Sequence, residues 1–594
     1  MKSLPPALPY ILPPRTNAAA TRAFGSAAAA ACNIPPQLAE ILYQRGVATL
    51  GELQEFLYPQ LAMLPDPATM QGMEQAIDCL LTSCAARKPV FIHGDYDVDG
   101  MTATALLVTF FREIGMQSVC WYIPNRFEEK YGLSKQSIDK LISLHEHSHG
   151  HGGVLITVDC GITAVEEVAY ARSLGFRVIV TDHHEPHGQR PEADAILNPK
   201  QSGEAAHFSS LAGVGVAFFL IMALRRAMTT NGFSFGPTVP NLKKYLDLVA
   251  LGTVADVVPL VGINRILVRA GLEVLSTKNR YGVSSLCDIC GIGALPVQTE
   301  DIAYRLAPRL NAAGRLGQPH HGVNLLLATT SDQARDLTLV LEELNRERKQ
   351  LEFETLEEVM EQCGTQIQAG WNGLSVYHAA CHPGIVGILA ARLVQRYGRP
   401  AIVLTDDATG GDGGNRLKGS GRSLPGTNLV DALQACSPLL DQFGGHAMAA
   451  GLTIARENLD AFAAAFQQQV TSMGGPVGEG AVKIQVDYHF ENSSMLTEDF
   501  ARAMQLLQPC GEGNPEPVFL MTSERLLQPR NVKGHLSFQV HSGGNGAAIR
   551  GIGFHLWRDS LDLRKPVDLV FHVKRSWYRG VEQHQLHALH IASC

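Results

Sequence analysis

Between residues 89 and 270, short apolar runs alternate with stretches of helical periodicity: PVFI, a helix over 102–114, SVCWYI, VLITV, a helix over 164–174, RVIV and AIL. Short apolar runs bounded by turn residues predict buried strands, and their alternation with helices predicts a parallel, doubly wound sheet. The apolar stretch 211–224 ends in Arg225-Arg226 and predicts a buried helix, and no apolar run reaches the roughly eighteen residues of a membrane span. Residues 331–362 lack Gly and Pro, are rich in Leu, Glu, Arg and Lys, and keep apolar positions at helical intervals, which predicts one long connecting helix. A second α/β unit starts at LSVYHAA (374–380), continues through a helix after Pro383 and returns as AIVLTDD, with two glycine-rich polar turns, GSGRS (419–423) and GGHAMAAG (444–451). Beyond a linker near 474–480, apolar segments alternate with turns at short spacing, predicting a small β-barrel or sandwich.

At 594 residues the chain is too long for one hydrophobic core, so several domains are expected. The first 35 residues carry prolines at 5, 6, 9, 13 and 14 and an alanine run at 27–31, without the basic start and apolar core of a secretory signal. Twelve cysteines are scattered along the chain, and the close pair Cys287 and Cys290 has no second pair at zinc spacing. Reduced thiols in a cytoplasmic protein without a membrane anchor are the expectation. The net charge of −8 argues against nucleic acid until it is divided: residues 525–594 hold ten Lys and Arg against four Asp and Glu.

Chemistry concentrates in HGDYDVDG (93–100). The spacing of Asp95, Asp97 and Asp99 is that of an EF-hand loop, but the position of the closing Glu is Leu106 and the preceding PVFI reads as a strand. Ligand sites in doubly wound sheets lie at the carboxyl ends of strands. Asp159 closes VLITVD, Asp182, His183 and His184 follow RVIVT, and Asp256 ends another apolar segment. So many carboxylates cannot share a pocket without cations, and oxygen-rich sites with one or two imidazoles suit Mn²⁺ or Mg²⁺. Two such ions activate water and stabilise a leaving oxygen in phosphoryl hydrolysis. Cations to hold a phosphate are offered by Arg126, Arg309, Arg315 and Arg422, the last flanked by Gly419, Ser420 and Gly421, with His446 a further candidate. In the basic tail, Lys574, Arg575, Trp577, Tyr578 and Arg579 interleave cations with aromatics, with Lys533 and Phe538 upstream, a composition suited to single-stranded nucleic acid.

The order DYDVDG, VDCGIT, DHH, GTVADVVPL, PRLNAAGR, GSGRS and GGH resembles the DHH phosphoesterase superfamily and, within it, the RecJ single-strand-specific exonucleases, from about residue 80 to the C-terminus. The resemblance implies a 5′ to 3′ exonuclease of single-stranded DNA, dependent on two Mn²⁺ or Mg²⁺ ions, releasing 5′-mononucleotides in recombination and repair. It implies an N-terminal extension and helical cap (1–80), a DHH domain (81–270), a helical region with the long helix (271–365), a DHHA1 domain (366–475) and a C-terminal OB-fold (476–594). By the family pattern the metal ligands are Asp97, Asp99, Asp159, His183 and Asp256, with His93 as a further one. Asp95 and Asp182 stand behind them and His184 reaches the scissile phosphate. Arg315, Ser420 and Arg422 hold substrate phosphates, with Arg126, Arg309, Asn311 and His446 in support. One departure is Lys130 before Tyr131-Gly132, where the family commonly has Gly. A helicase and a single-strand-binding protein are implied partners of a monomer. The competing expectations are a DHH phosphodiesterase for short or cyclic oligonucleotides and a non-catalytic single-strand-binding scaffold.

Overall fold

The computed structural model describes the chain except residues 1–9, 12–17, 130–131, 145–151, 233–238, 408–414, 475–483, 542–547, 559–560, 579–580 and 594, and the side chains of 18, 578, 581 and 593. The chain forms two compact units, one of residues 65–258 and 271–479, the other of residues 1–64, 259–270 and 480–594.

The first unit carries a five-stranded, wholly parallel sheet in the order Val119–Tyr122, Val90–Gly94, Gly153–Val158, Phe176–Thr181, Ala195–Leu197. The strands are the apolar runs of the sequence, and Val90–Gly94 and Gly153–Val158 are buried along their whole length, as a sheet covered on both faces requires. The helix Val98–Glu113 packs on this sheet and against the apolar helices Gly213–Thr230 and Leu246–Ala255. Gly213–Thr230 is long and apolar enough to cross a membrane, but most of it is buried inside the fold. The long helix is present over Ser331–Gln368.

The second α/β element of this unit is a five-stranded mixed sheet in the order Gln442–His446, Ala449–Ala455, Arg416–Arg422, Ala401–Asp406, Leu374–Tyr377, with the helix Val386–Tyr397 packed on it. Here two expectations are corrected. GSGRS is not a turn but the end of the strand Arg416–Arg422, and GGHAMAAG is a hairpin whose glycines lie in the ladder, Gly444 opposite Gly451 and Gly451 opposite Ser420. Polar and glycine-rich composition predicts a turn, whereas the ladder tolerates glycine where no side chain is needed. Asp256 is also corrected: it caps the C-terminus of the helix Leu246–Ala255 rather than ending a strand.

The second unit contains a seven-stranded sheet in the order Tyr488–Phe490, Phe519–Glu524, Val567–Tyr578, Val581–Ser593, Ala548–Gly553, His535–His541, Leu527–Val532. Its inner face shares one core with the N-terminal helices: Leu38, Leu42, Leu53 and Leu57 pack with Phe490, Phe519, Phe538 and Phe571. The N-terminal segment is therefore part of the C-terminal domain's core.

Candidate active site

Two turns and two helix ends bring the acids together. Asp97 caps the helix Val98–Glu113, accepting from the Gly100 N–H at 3.1 Å, which places Asp99 in the first turn. A Cβ on Gly100 would lie 2.5 Å from the Asp95 carbonyl oxygen, so the DVDG turn needs glycine. Asp99 accepts from the Gly213 and Val214 N–H groups at 2.6 and 2.9 Å, the N-terminus of the neighbouring helix. Asp159, just past its strand, holds a left-handed backbone at φ 60°, a conformation rare for a non-glycine residue and typical of functional sites.

Three overlapping groups result, each with ligand atoms within 4.8 Å of one another: Asp95, Asp97 and Asp159; Asp99, His183 and Asp256; Asp159, His183 and His184. His183 Nε2 lies 3.1 Å from an Asp159 oxygen and 3.5 Å from an Asp256 oxygen. Asp95 Oδ1, Asp159 Oδ1, His183 Nε2 and Asp256 Oδ2 are buried without a hydrogen-bond partner. Burial and then mutual repulsion push Asp99 up to about 7 and Asp256 up to about 9, and raise Asp95 and Asp159 well above the ordinary range. Burial, then the charge of His184, pulls His183 down to about 3, leaving a neutral imidazole ready to ligate. Orphaned carboxylate and imidazole lone pairs converging in one buried place fit divalent cations, and the donor set is oxygen-rich, as Mn²⁺ and Mg²⁺ prefer.

Asp182 is saturated. It accepts from the Ile162, His183 and His184 N–H groups and from His184 Nδ1 at 2.8 Å. Burial pulls the His184 imidazole down, but Asp182 and the neighbouring carboxylates outweigh it and raise it to about 9, so this ring is cationic at neutral pH. His93 stands apart from the three groups: Nε2 lies 2.8 Å from Ser137 Oγ and Nδ1 3.7 Å from Cys160 Sγ.

A cleft of about 790 Å³ is lined among others by Tyr96, His184, Lys418, Gln442 and His446, and Arg126, Arg315, Lys418 and Arg422 form a group of cations whose charges act on one another. Arg315, at the end of the helix Ala307–Arg315, donates to the Gly384 carbonyl at 3.1 Å. Burial, then the charges of Arg126 and Arg422, lowers it to about 10. Arg126 lies 4.7 Å over the Tyr96 ring, while Glu128 and Glu129 pair with Lys140 instead. Arg422 donates to Ser420 Oγ at 3.0 Å. Asn311 accepts from the Val98 N–H at 3.2 Å, so it steadies the acid-bearing turn. Arg309 is not in the cleft group: its Nε pairs with Glu342 at 2.5 Å.

Sequence reasoning missed Lys418. It lines the cleft and lies on the same face of its strand as Ser420 and Arg422, Leu417 and the intervening Gly419 and Gly421 being buried, an alternation that a strand reading of GSGRS makes visible. It also missed Asn198, which is fully buried, donates to the His184 carbonyl at 2.9 Å and fixes the loop behind the histidines.

In the C-terminal domain, Phe538 is corrected from a base-stacking candidate to a core residue, 2% exposed. Its strand alternates inward Leu536, Phe538 and Val540 with outward Ser537 and Gln539. Lys574 pairs with Glu516 at 2.6 Å, Arg575 pairs with Glu582 and lies 4.5 Å over the Trp577 ring, and Lys533 is exposed in the turn between two strands. Arg579, the Tyr578 side chain and Lys130 lie outside the described residues.

Comparison with known proteins places three family models on the chain: the DHH family N-terminal domain at 89–253, the DHHA1 domain at 370–472 and the RecJ OB domain at 486–590. The chain is 38% identical over 576 residues to a single-stranded-DNA-specific exonuclease RecJ of Dickeya dadantii, covering 94% of this chain and 96% of that one. Among solved structures, RecJ of Thermus thermophilus in complex with Mn²⁺ matches with a TM-score of 0.78 at 28% identity, covering 96% of this chain and 78% of that one. The same protein in complex with Mg²⁺ matches with a TM-score of 0.72 at 27% identity, covering 96% and 77%.

Proposed function

Since this chain belongs to the family of RecJ single-stranded-DNA-specific exonucleases, we propose that it hydrolyses single-stranded DNA from the 5′ end, releasing 5′-mononucleotides with the help of two divalent cations, Mn²⁺ or Mg²⁺. The observation that carries this reading is the presence of two opposite charge sets in one unit: three overlapping carboxylate and imidazole groups, whose His184 lines a cleft together with Lys418, and the cations Arg126, Arg315, Lys418 and Arg422, whose charges act on one another. Neither set is tolerable alone, because like charges destabilise one another, and a phosphodiester with its cations neutralises both.

Asp95, Asp97, Asp99, Asp159, His183 and Asp256 would hold the cations, which activate water and stabilise charge on the phosphoryl oxygens. Arg315, Arg422 and Ser420 hold the 5′-terminal phosphate, and Arg126, stacked on Tyr96, closes over the strand. Water adds to phosphorus, the bond from phosphorus to the 3′-oxygen of the first nucleotide breaks, and His184, cationic and oriented by Asp182, gives that oxygen its proton. His93, engaged by Ser137, supports the turn rather than the cations. We further propose a cytoplasmic location, a monomeric state and a helicase and a single-strand-binding protein as partners.

The test uses single strands labelled at either end and a blunt duplex, with Mn²⁺, with Mg²⁺ and with chelator. Immediate release of labelled mononucleotide from the 5′ end, dependent on metal and absent on the duplex, is expected. Release from the 3′ end first, or metal-independent cleavage, would refute the assignment.

A further inference from the structure

The helix Tyr281–Ile289 packs against the first turns of the long helix Ser331–Gln368, and between them lies a groove of about 420 Å³. One stripe of each helix lines it: Tyr281, Asp288 and Ile289 from the first, Ser331, Arg335, Thr338 and Leu339 from the second. None of these residues lines the active-site cleft. Arg280, ahead of the first helix, donates to the Leu326 carbonyl, five residues before the long helix begins, while the charge of Glu342 on the long helix acts on Cys290, just behind the first. The two helices therefore run the same way, which puts Tyr281 at the Ser331 end of the groove and Asp288 and Ile289 at the Thr338 end.

Thr338 is 2% exposed and its hydroxyl has no hydrogen-bond partner. On a helix a threonine hydroxyl can donate to the carbonyl four residues back, as Thr355 of the same helix does to Leu351 at 2.9 Å. A buried hydroxyl left unpaired costs stability, and one that lines a groove is paired by what enters it. At the other end, about 10 Å away along the axis, Ser331 is the first residue of a 38-residue helix, so the positive end of the helix dipole lies at the groove. Arg335 follows one turn further in. It pairs with Asp332 at 3.4 Å, but both side chains are mostly in solvent, a contact worth little that a dianion displaces.

These two ends select the ligand. A bare anion would leave Ile289, Leu339 and Thr338 without a partner, and an acyl chain would leave Asp288 and Thr338 unpaired. A nucleotide carries a phosphate at one end and, at the other, a flat base with apolar faces and an edge of donors and acceptors. We propose that this groove binds a 5′-mononucleotide, with its phosphate at Ser331 and Arg335, and its base between Ile289 and Leu339 with the polar edge at Asp288 and Thr338. The reading of the ligand as the chain's own reaction product rests on the exonuclease assignment.

The test is equilibrium dialysis of the full-length protein, in chelator, against deoxyadenosine 5′-monophosphate, with deoxyadenosine and inorganic phosphate as comparison probes. Thr338→Val, which exchanges a hydroxyl for a methyl of the same shape, is expected to weaken one bound equivalent about 3- to 10-fold without lowering the melting temperature. Arg335→Ala is expected to weaken the same equivalent about 10- to 100-fold, and neither deoxyadenosine nor inorganic phosphate should match the mononucleotide. Binding within about twofold of the parent in both variants, or phosphate competing as well as the nucleotide, would overturn the site. Hydrolysis of single strands with Mg²⁺ is read on the same samples. Groove-dependent binding by a parent that cuts no DNA would keep the nucleotide site and remove its reading as a product site. Cutting by a parent whose variants bind nucleotide unchanged would remove the groove and keep the exonuclease.

Discussion

Each acid of the site is costly by itself, and this can be measured. Because the buried carboxyls titrate higher in the fold than in the unfolded chain, the folded state holds more protons between the two values. Stability of the metal-free protein therefore falls as pH rises, from the ordinary carboxyl value near 4 to the value of about 9 at Asp256. We expect the melting temperature in chelator to drop steadily across that window and the increment on adding Mg²⁺ to grow with pH, because ligation must release those protons. A flat profile would mean that the acids are ionised and neutralised by other means. Asp159 belongs to two of the three donor groups, so Asp159→Asn should lower hydrolysis about a thousandfold or more while leaving strand binding largely intact. Lys418→Ala should raise KM about tenfold with kcat little changed, and Lys418→Arg should keep most of the affinity. An equal loss in kcat would instead place Lys418 at the reacting phosphate.

Segments, rather than single residues, account for how the acids meet. The run LDLVALGTVA is buried at every position from Leu246 to Val254, and a segment that is apolar on all sides shows no period by which helix and strand could be told apart. Its length and its neighbours settle it as a helix, and Asp256 arrives at the site from a helix end. The same reasoning applies to GSGRS, whose small residues pair in a ladder because adjoining strands supply the partners. A third segment, Leu506–Pro509, is gripped by Arg265, which is 2% exposed and donates to the carbonyls of Phe56, Leu506, Leu507, Gln508 and Pro509 while stacking 3.9 Å over the Phe56 ring. Substituting methionine there leaves several buried carbonyls unpaired. A loss of about 3–5 kcal/mol is expected, read as a lower urea midpoint for the N- and C-terminal unit.

At the level of the complete chain, the shared core of the N-terminal helices and the C-terminal sheet governs how the protein can be cut. Removing residues 480–594 would strip Leu38, Leu42, Leu53 and Leu57 of their partners. Such a truncation should aggregate unless residues 1–64 are removed with it, and light scattering of the two truncations side by side would decide it. Equal solubility of both would contradict the common core.

Local pattern along the chain was sufficient for the parallel sheet, the long helix and the convergence of Asp95, Asp97, Asp99, Asp159 and the His pair. Runs buried on both faces and polar residues at strand ends are short-range signals, and the sheet's topology makes those ends meet. The roles of neighbours were not legible in this way. That His93 turns to Ser137, Arg309 to Glu342 and Phe538 into the core, and that Lys418 joins the cleft, all depend on contacts between residues far apart in sequence. A residue's type sets what it can bind, but only the packing of distant segments sets which partner reaches it first.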